Sequence, residues 1–221
     1  MKVCIISDTH NKHKHLEILP EADVIIHCGD FTSVGKEHEV RNFMKWFSNL
    51  DQYKYKIIIA GNHDWLYEKN RMLARSLMPK NIIYLEDSEI IIEGIKFYGT
   101  PVQKPFNEWA FNRPEEKLEQ HWKAIPDDTD VLITHELPYT ILDYVSRNNK
   151  NEGSPSLYQE VVGRIKPLIH TMGHIHEGYG VKIIENITFI NASNLNADYE
   201  CVNLPILIEI DENKKVNIIS L

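Results

Sequence analysis

KVCIISDTH, residues 2–10, is a run of mostly branched apolar side chains that stops abruptly on a carboxylate, a hydroxyl and an imidazole. Such a run reads as a strand buried on both faces, because a half-exposed strand would alternate apolar with polar. Two more segments repeat the pattern: 23–28 runs into Gly29-Asp30, and 56–60 into Gly61-Asn62-His63-Asp64. Helical stretches separate the three. Val40, Phe43, Met44, Phe47 and Leu50 share one helical face within 36–50, and a second helix over 65–77 stops before Pro79. The opening third therefore predicts βαβ units.

Beyond it, strands are predicted at 89–92 and 96–98, joined by a Glu93-Gly94 turn, and a long irregular loop spans 100–114. A helix over 115–123, a buried strand over 131–134 and a helix over 156–165 follow. Strands at 168–172, 181–184, 188–191, 205–210 and 216–219 complete a strand-rich second half. No linker, repeat or low-complexity run interrupts the 221 residues, so 1–221 reads as a single α/β domain of two packed sheets flanked by helices.

Composition narrows the function classes. Hydrophobic residues make up 43% and charged residues 25%, as in a globular domain with a large core. No apolar run approaches the roughly 18 residues of a membrane span. Asp8 interrupts the first apolar stretch too early for a signal peptide, so a cytoplasmic location is expected. Three scattered cysteines without a CxxC pair offer neither a disulfide framework nor a thiolate zinc site, and Cys4 and Cys28 read as small core residues. A net charge of −8 disfavours long nucleic acid as a partner but not phosphate substrates, because bound cations add positive charge that the formal count omits.

Five of the 11 histidines fall where the strands stop. Asp8-Thr9-His10, Gly29-Asp30, Gly61-Asn62-His63-Asp64, Thr134-His135 and Gly173-His174-Ile175-His176 each follow a predicted strand, and ligands of open α/β sheets bind beyond the carboxyl ends of strands. A lone Asp-x-His or Gly-Asp is weak evidence, since turns contain both. Five such blocks at five strand ends are specific. Their oxygen and imidazole donors suit Mn²⁺, Fe or Zn²⁺ better than Ca²⁺. A carboxylate that bridges two ions about 3.5–4 Å apart would make a centre that clamps phosphate and supplies hydroxide near neutral pH. No His-Glu-x-x-His helix supports a metalloprotease.

In order and residue type, these blocks resemble the calcineurin-like metallophosphoesterase superfamily over nearly the whole chain. The segments from His27 to Thr32, Trp109-Ala110-Phe111-Asn112, GHIHEGYG at 173–180 and Asn191-Ala192-Ser193 are similar to its metallophosphoesterase-domain-containing branch, which is related to class III cyclic nucleotide phosphodiesterases. The resemblance implies a four-layer α/β/β/α sandwich of two mixed sheets. It implies two divalent ions, Mn²⁺ foremost in vitro, with Fe, Zn²⁺ or Mg²⁺ as alternatives. Asp8, His10 and His176 would hold one ion; Asn62, His135 and His174 the other; Asp30 would bridge. His63 would be the general acid or a donor to phosphate, with Asp64 fixing the orientation of its ring. The implied reaction is in-line attack on phosphorus by a metal-bridging hydroxide, without a covalent intermediate.

One departure stands out. Where the family pattern has small residues and prolines, Glu136-Leu137-Pro138 follows His135, and Glu136 is expected to face solvent. Of the other histidines, His13, His15, His38 and His121 read as surface groups, and His27 and His170 as hydrogen-bonded interior ones. The loop over 100–114 carries Phe106, Trp109, Phe111 and Arg113. Trp109, Phe111 and Arg113 are candidate substrate contacts, although some of these rings are expected only to pin the loop. The expected substrate is a small phosphoester, with diesters of small nucleotides, above all cyclic nucleotides, favoured. The alternatives are a phosphomonoesterase or nuclease on the same dinuclear site, and a non-catalytic interaction scaffold.

Overall fold

The computed structural model describes residues 1–220. With strands numbered along the chain, the first sheet contains β1 (Lys2–Ile6), β2 (Val24–His27), β3 (Tyr55–Ile58), β4 (Ile83–Tyr84), β13 (Ile206–Ile210) and β14 (Val216–Ser220). The second contains β5 (Ser88–Ile92), β6 (Ile95–Thr100), β7 (Val131–Thr134), β10 (Ile169–Met172), β11 (Gly180–Ile184) and β12 (Ile187–Asn191). A short hairpin pairs β8 (Tyr144–Val145) with β9 (Lys150–Asn151). Strand order is β14-β13-β1-β2-β3-β4 in one sheet and β11-β12-β10-β7-β6-β5 in the other. Both sheets are mixed. β1 to β4 run parallel with β13 antiparallel to β1, and β6, β7, β10 and β12 run parallel with antiparallel edges.

The continuous apolar strands are explained by what covers them. Successive side chains of β1 alternate between two cores. Val3 and Ile5 face the second sheet, packing with Phe97, Val131 and Ile190. Cys4 and Ile6 face the outer layer of α1 (Glu37–Ser48), α2 (Trp65–Lys69) and α3 (Arg71–Ser76). The second sheet is covered in turn by α4 (Glu115–Trp122) and α5 (Pro155–Glu160) through Leu118, Trp122 and Leu157. A strand buried on both sides has no reason to alternate in polarity. The architecture is thus the α/β/β/α sandwich expected of the sequence.

The single helix expected over 65–77 is broken. Asn70, at φ −144°, ends α2, and its side chain accepts a hydrogen bond from Leu73 N–H to cap α3. The helix expected over 156–165 widens into a π-type turn at Val161–Ile165 and stops on Lys166 in the left-handed region (φ 48°), where the following Pro167 disfavours continuing the helix.

His27 and His170 lie in the interior as expected. His170 Nε2 is 2.8 Å from Thr134 Oγ1, whose proton goes to the Glu136 carbonyl. Nε2 therefore donates, and the buried Nδ1 has no partner among the described residues. Burial lowers the His170 pKa to about 3. A histidine held neutral in the fold contributes stability above its unfolded pKa of about 6.5. That contribution is lost as pH falls from there toward 3, at about 1.4 kcal/mol per pH unit. In EDTA, His170→Leu is expected to flatten the decline of urea-unfolding stability between pH 6 and 4 by about that slope. An unchanged slope would place the acid sensitivity elsewhere.

Candidate metal centre

The carboxyl ends of β1, β2 and β3 in one sheet meet those of β7, β10 and β12 in the other, and a bridge between Ser7 and Ser193 joins the sheets at that point. Asp8 and His10 follow β1, Asp30 follows β2, Asn62 and His63 follow β3, His135 follows β7, and His174 and His176 follow β10. Four of these have left-handed backbones: Asp8 (φ 52°), His10 (38°), Asp30 (57°) and His174 (69°). Non-glycine residues there carry strain of about 1 kcal/mol or more each, the kind of cost that surrounding structure sustains at functional sites.

Three groups of side chains each converge closely enough to share an ion: Asp8, His10 and His176; Asp30, His135 and His174; and His10, Asp30 and His63. Asp30 links them. Its Oδ2 is 3.7 Å from His10 Nε2, 3.3 Å from His135 Nε2 and 4.0 Å from His63 Nε2. Asp8 Oδ1 is 3.6 Å from His176 Nε2 and 4.0 Å from His10 Nε2. These separations are long for hydrogen bonds, but two donors each about 2.1 Å from one cation stand roughly 3.0–3.4 Å apart. Both ring nitrogens of buried His10 lack a protein partner among the described residues. Asn62 Oδ1 completes the second group at 3.0 Å from His135 Nε2. The arrangement fits a pair of divalent cations with oxygen and imidazole donors.

The imidazoles are aimed from behind. Nδ1 of His135 is 2.9 Å from Cys28 O, Nδ1 of His176 is 2.9 Å from Asn196 O, and Nδ1 of His63 is 2.6 Å from Ser33 O. A carbonyl accepts only from Nδ1–H, which leaves Nε2 facing the centre in all three. Asp8 is held by Ser193 Oγ (2.8 Å) and by His174 N–H (3.0 Å to each oxygen). Burial alone would raise both carboxyls. The nearby imidazoles of His176 and His135 hold Asp8 below the usual carboxylate range, and His135, His63 and His10 do the same for Asp30. Burial lowers His10 to about 4 and His174 to about 3. Burial is outweighed at His135, which Asp30 raises to about 10. A ligating imidazole must be neutral, so cation binding there displaces a proton.

Several expectations fall differently in space. Asp64 does not orient the His63 ring. Its buried carboxylate accepts from the N–H groups of Asp30, Thr32 and Gly61 and from Thr32 Oγ1, tying two strand ends together, and Ser33 O holds the ring instead. Glu136 does not face solvent. It is fully buried and accepts from Lys104 N–H (2.8 Å) and Leu137 N–H (3.0 Å), and burial raises its pKa to about 7. Phe111 is 1% exposed in the core beneath α1 and is no substrate contact. Arg113 is paired with Glu68 at 3.1 Å. Trp109 stacks on His63, ring centroids 4.0 Å apart, and exposed Phe106 presents an edge-on contact to His174 at 5.6 Å. His13 is buried between Phe43 and Trp46, and half-buried His121 is bonded to Thr100 and Asp87, whereas His15 and His38 are exposed.

Two residues of the centre carry no signal of their own in the sequence: Ser193, which stands out only through the family resemblance, and Tyr199. Tyr199 lies against His10 and His176, and burial together with Asp30 and Asp8 raises its hydroxyl pKa.

Gly61 lets this geometry form. A Cβ there would stand 2.3 Å from Asp30 Oδ1 and 2.5 Å from Asp30 N. Gly61→Ala is expected to displace Asp30 and weaken Mn²⁺ binding roughly 10–100-fold in calorimetric titration. Gly163→Ala, where a Cβ meets nothing within 4 Å, is the matched control. Equal affinities in the two variants would remove the steric argument.

The family model described as calcineurin-like phosphoesterase matches residues 1–178. Metallophosphoesterase domain-containing protein 1 of Homo sapiens is 38% identical, covering 94% of this chain and 70% of its own. A protein of Arcobacter nitrofigilis named as a probable glycerophosphodiester phosphodiesterase is 26% identical, covering 80% of this chain and 72% of its own. One solved crystal structure superposes with a TM-score of 0.70 at 16% identity, over 98% of this chain and 97% of that one, a likeness of fold. The chain belongs to the calcineurin-like phosphoesterase family and, within it, to the metallophosphoesterase domain-containing branch.

Proposed function

We propose that this protein hydrolyses phosphodiesters of small nucleotides, cyclic nucleotides foremost, at a dinuclear centre. The observation that carries the reading is Asp30 Oδ2, which faces His10 on one side and His135 on the other within one buried cluster. Asp8, His10 and His176 would hold one ion and Asn62, His135 and His174 the other, with Asp30 shared between them. When bound, the cations neutralise the phosphate and make hydroxide available near neutral pH. His63 is the residue for the departing oxygen. Ser33 O fixes its Nδ1–H, so Nε2 delivers the proton to the leaving alkoxide, and the Trp109 stack holds the ring plane while this happens.

Diesters are favoured over monoesters because exposed Phe106, beside His174, offers apolar contact to the ester group that stays on phosphorus, a group that a monoester lacks. The diesterase named among the relatives supports the same choice. The scaffold reading would expect eroded ligands, and every residue of the set is retained. Metal-stripped protein reloaded with Mn²⁺ is expected to cleave bis(p-nitrophenyl) phosphate faster than p-nitrophenyl phosphate, and to open 2′,3′- or 3′,5′-cyclic AMP. A preference for the monoester would overturn the diesterase reading.

A further inference from the structure

Tyr199 has no part in the reaction just described, yet it is built into the centre. Its ring centroid is 5.1 Å from that of His10 and 5.0 Å from that of His176, and the residue remains 44% exposed. The ring therefore overhangs two imidazoles of one ligand group and keeps a surface open to solvent. Its backbone is left-handed, at φ 60°, in a tight turn. Asn196 organises that turn: its Oδ1 accepts from Asp198 N–H (3.0 Å) and Glu200 N–H (2.8 Å), and its carbonyl accepts from Tyr199 N–H (2.9 Å). The same carbonyl accepts from His176 Nδ1 at 2.9 Å, so the tyrosine and the imidazole share one anchor. The Lys12 ammonium, two residues beyond His10, donates to the Tyr199 carbonyl. These bonds fix the backbone, and an aromatic side chain with only two torsions on a fixed backbone loses little entropy when a ligand lies against it.

His63 and Tyr199 each contact the His10 ring, His63 at 4.5 Å, and no ring contact joins the two among the described residues. The proton donor for the leaving oxygen and the tyrosine thus occupy separate parts of the rim. We propose that Tyr199 is a specificity-determining residue that packs flat against the ester group that stays on phosphorus, so that the centre prefers aryl- or nucleobase-bearing diesters to alkyl ones. The inference rests on the phosphodiesterase reading and deepens it. Stacking on a fixed ring tolerates any flat group, which suits recognition by shape rather than by base identity.

Bis(p-nitrophenyl) phosphate and methyl p-nitrophenyl phosphate test this, because they share a leaving group and differ only in the ester that stays. Wild type is expected to favour the bis-aryl ester. Tyr199→Ala should lower the ratio of its kcat/KM values, bis-aryl over methyl, roughly tenfold and mainly through KM, the scale of one stacking contact. Tyr199→Phe should keep the ratio within about twofold, since the ring and not the hydroxyl makes the contact. Both variants should hold as much Mn²⁺ as wild type. An unchanged ratio in Tyr199→Ala, or loss of Mn²⁺ from that variant, overturns the inference while wild-type diester turnover keeps the phosphodiesterase reading intact. Failure of wild type on both diesters sinks that reading and this inference with it.

Discussion

Asp30→Asn is expected to fold normally, bind Mn²⁺ at well under two ions per chain, and hydrolyse bis(p-nitrophenyl) phosphate at least roughly a thousandfold more slowly than wild type. The amide keeps the shape of the side chain. It also keeps an oxygen for His63 N–H, which donates to Oδ1 at 2.7 Å. What it loses is the second anionic oxygen, Oδ2, the atom that faces both His10 and His135. Cation-based stabilisation of transition-state charge is worth several kcal/mol, and each 1.4 kcal/mol or so is a factor of ten in rate. Metal analysis after gel filtration and Mn²⁺-dependent turnover check the two halves of the expectation. A variant that retains two ions and its activity would show that Asp30 does not bridge.

His63→Ala should separate chemistry from metal binding. His63 Nε2 is 4.0 Å from Asp30 Oδ2, so it stands close enough to be mistaken for a ligand. If it is the proton donor, the variant keeps its ions and loses roughly 10²–10⁴-fold in turnover of a cyclic nucleotide, whose leaving alkoxide needs a proton. Bis(p-nitrophenyl) phosphate, with a leaving group stable as the anion, should lose far less. An equal loss on both substrates together with a missing ion would make His63 a ligand.

The strands and their chemical ends were legible in the sequence for one reason. A strand covered on both faces is an unbroken apolar run, and the first polar residue after it marks both the end of the strand and the rim of the sheet. That rule places Asp8, Asp30, Asn62, His135 and His174 on their strand ends, and the family resemblance implies their grouping. Contacts between segments distant in the chain were not legible. Glu136 is buried because the backbone of Lys104, on another loop, reaches its carboxylate. Asp64 turns away from its neighbour His63 because three N–H groups on two strand ends require an acceptor. His13 sits in a Lys-rich segment that reads as surface, yet α1 supplies Phe43 and Trp46 to enclose it.

The aromatic loop shows the same limit within a few residues. Phe106, Trp109 and Phe111 look equivalent as sequence. A left-handed backbone at Phe111 (φ 60°) sends its ring into the core, while Trp109 is left on His63 and Phe106 at the rim. Tyr199 had no apolar run or motif beside it. Its signal was the asparagine at 196, whose side chain and carbonyl build the turn, and asparagine in turns is too common to point to a site.

The most direct test of a carboxylate-bridged pair of ions is a titration of metal-stripped protein with Mn²⁺, following hydrolysis of bis(p-nitrophenyl) phosphate against bound metal. A cooperative centre built around Asp30 predicts little turnover while the first ion binds, and full activity when two are bound per chain. Activity that is complete with one ion, or absent with two bound, would contradict it.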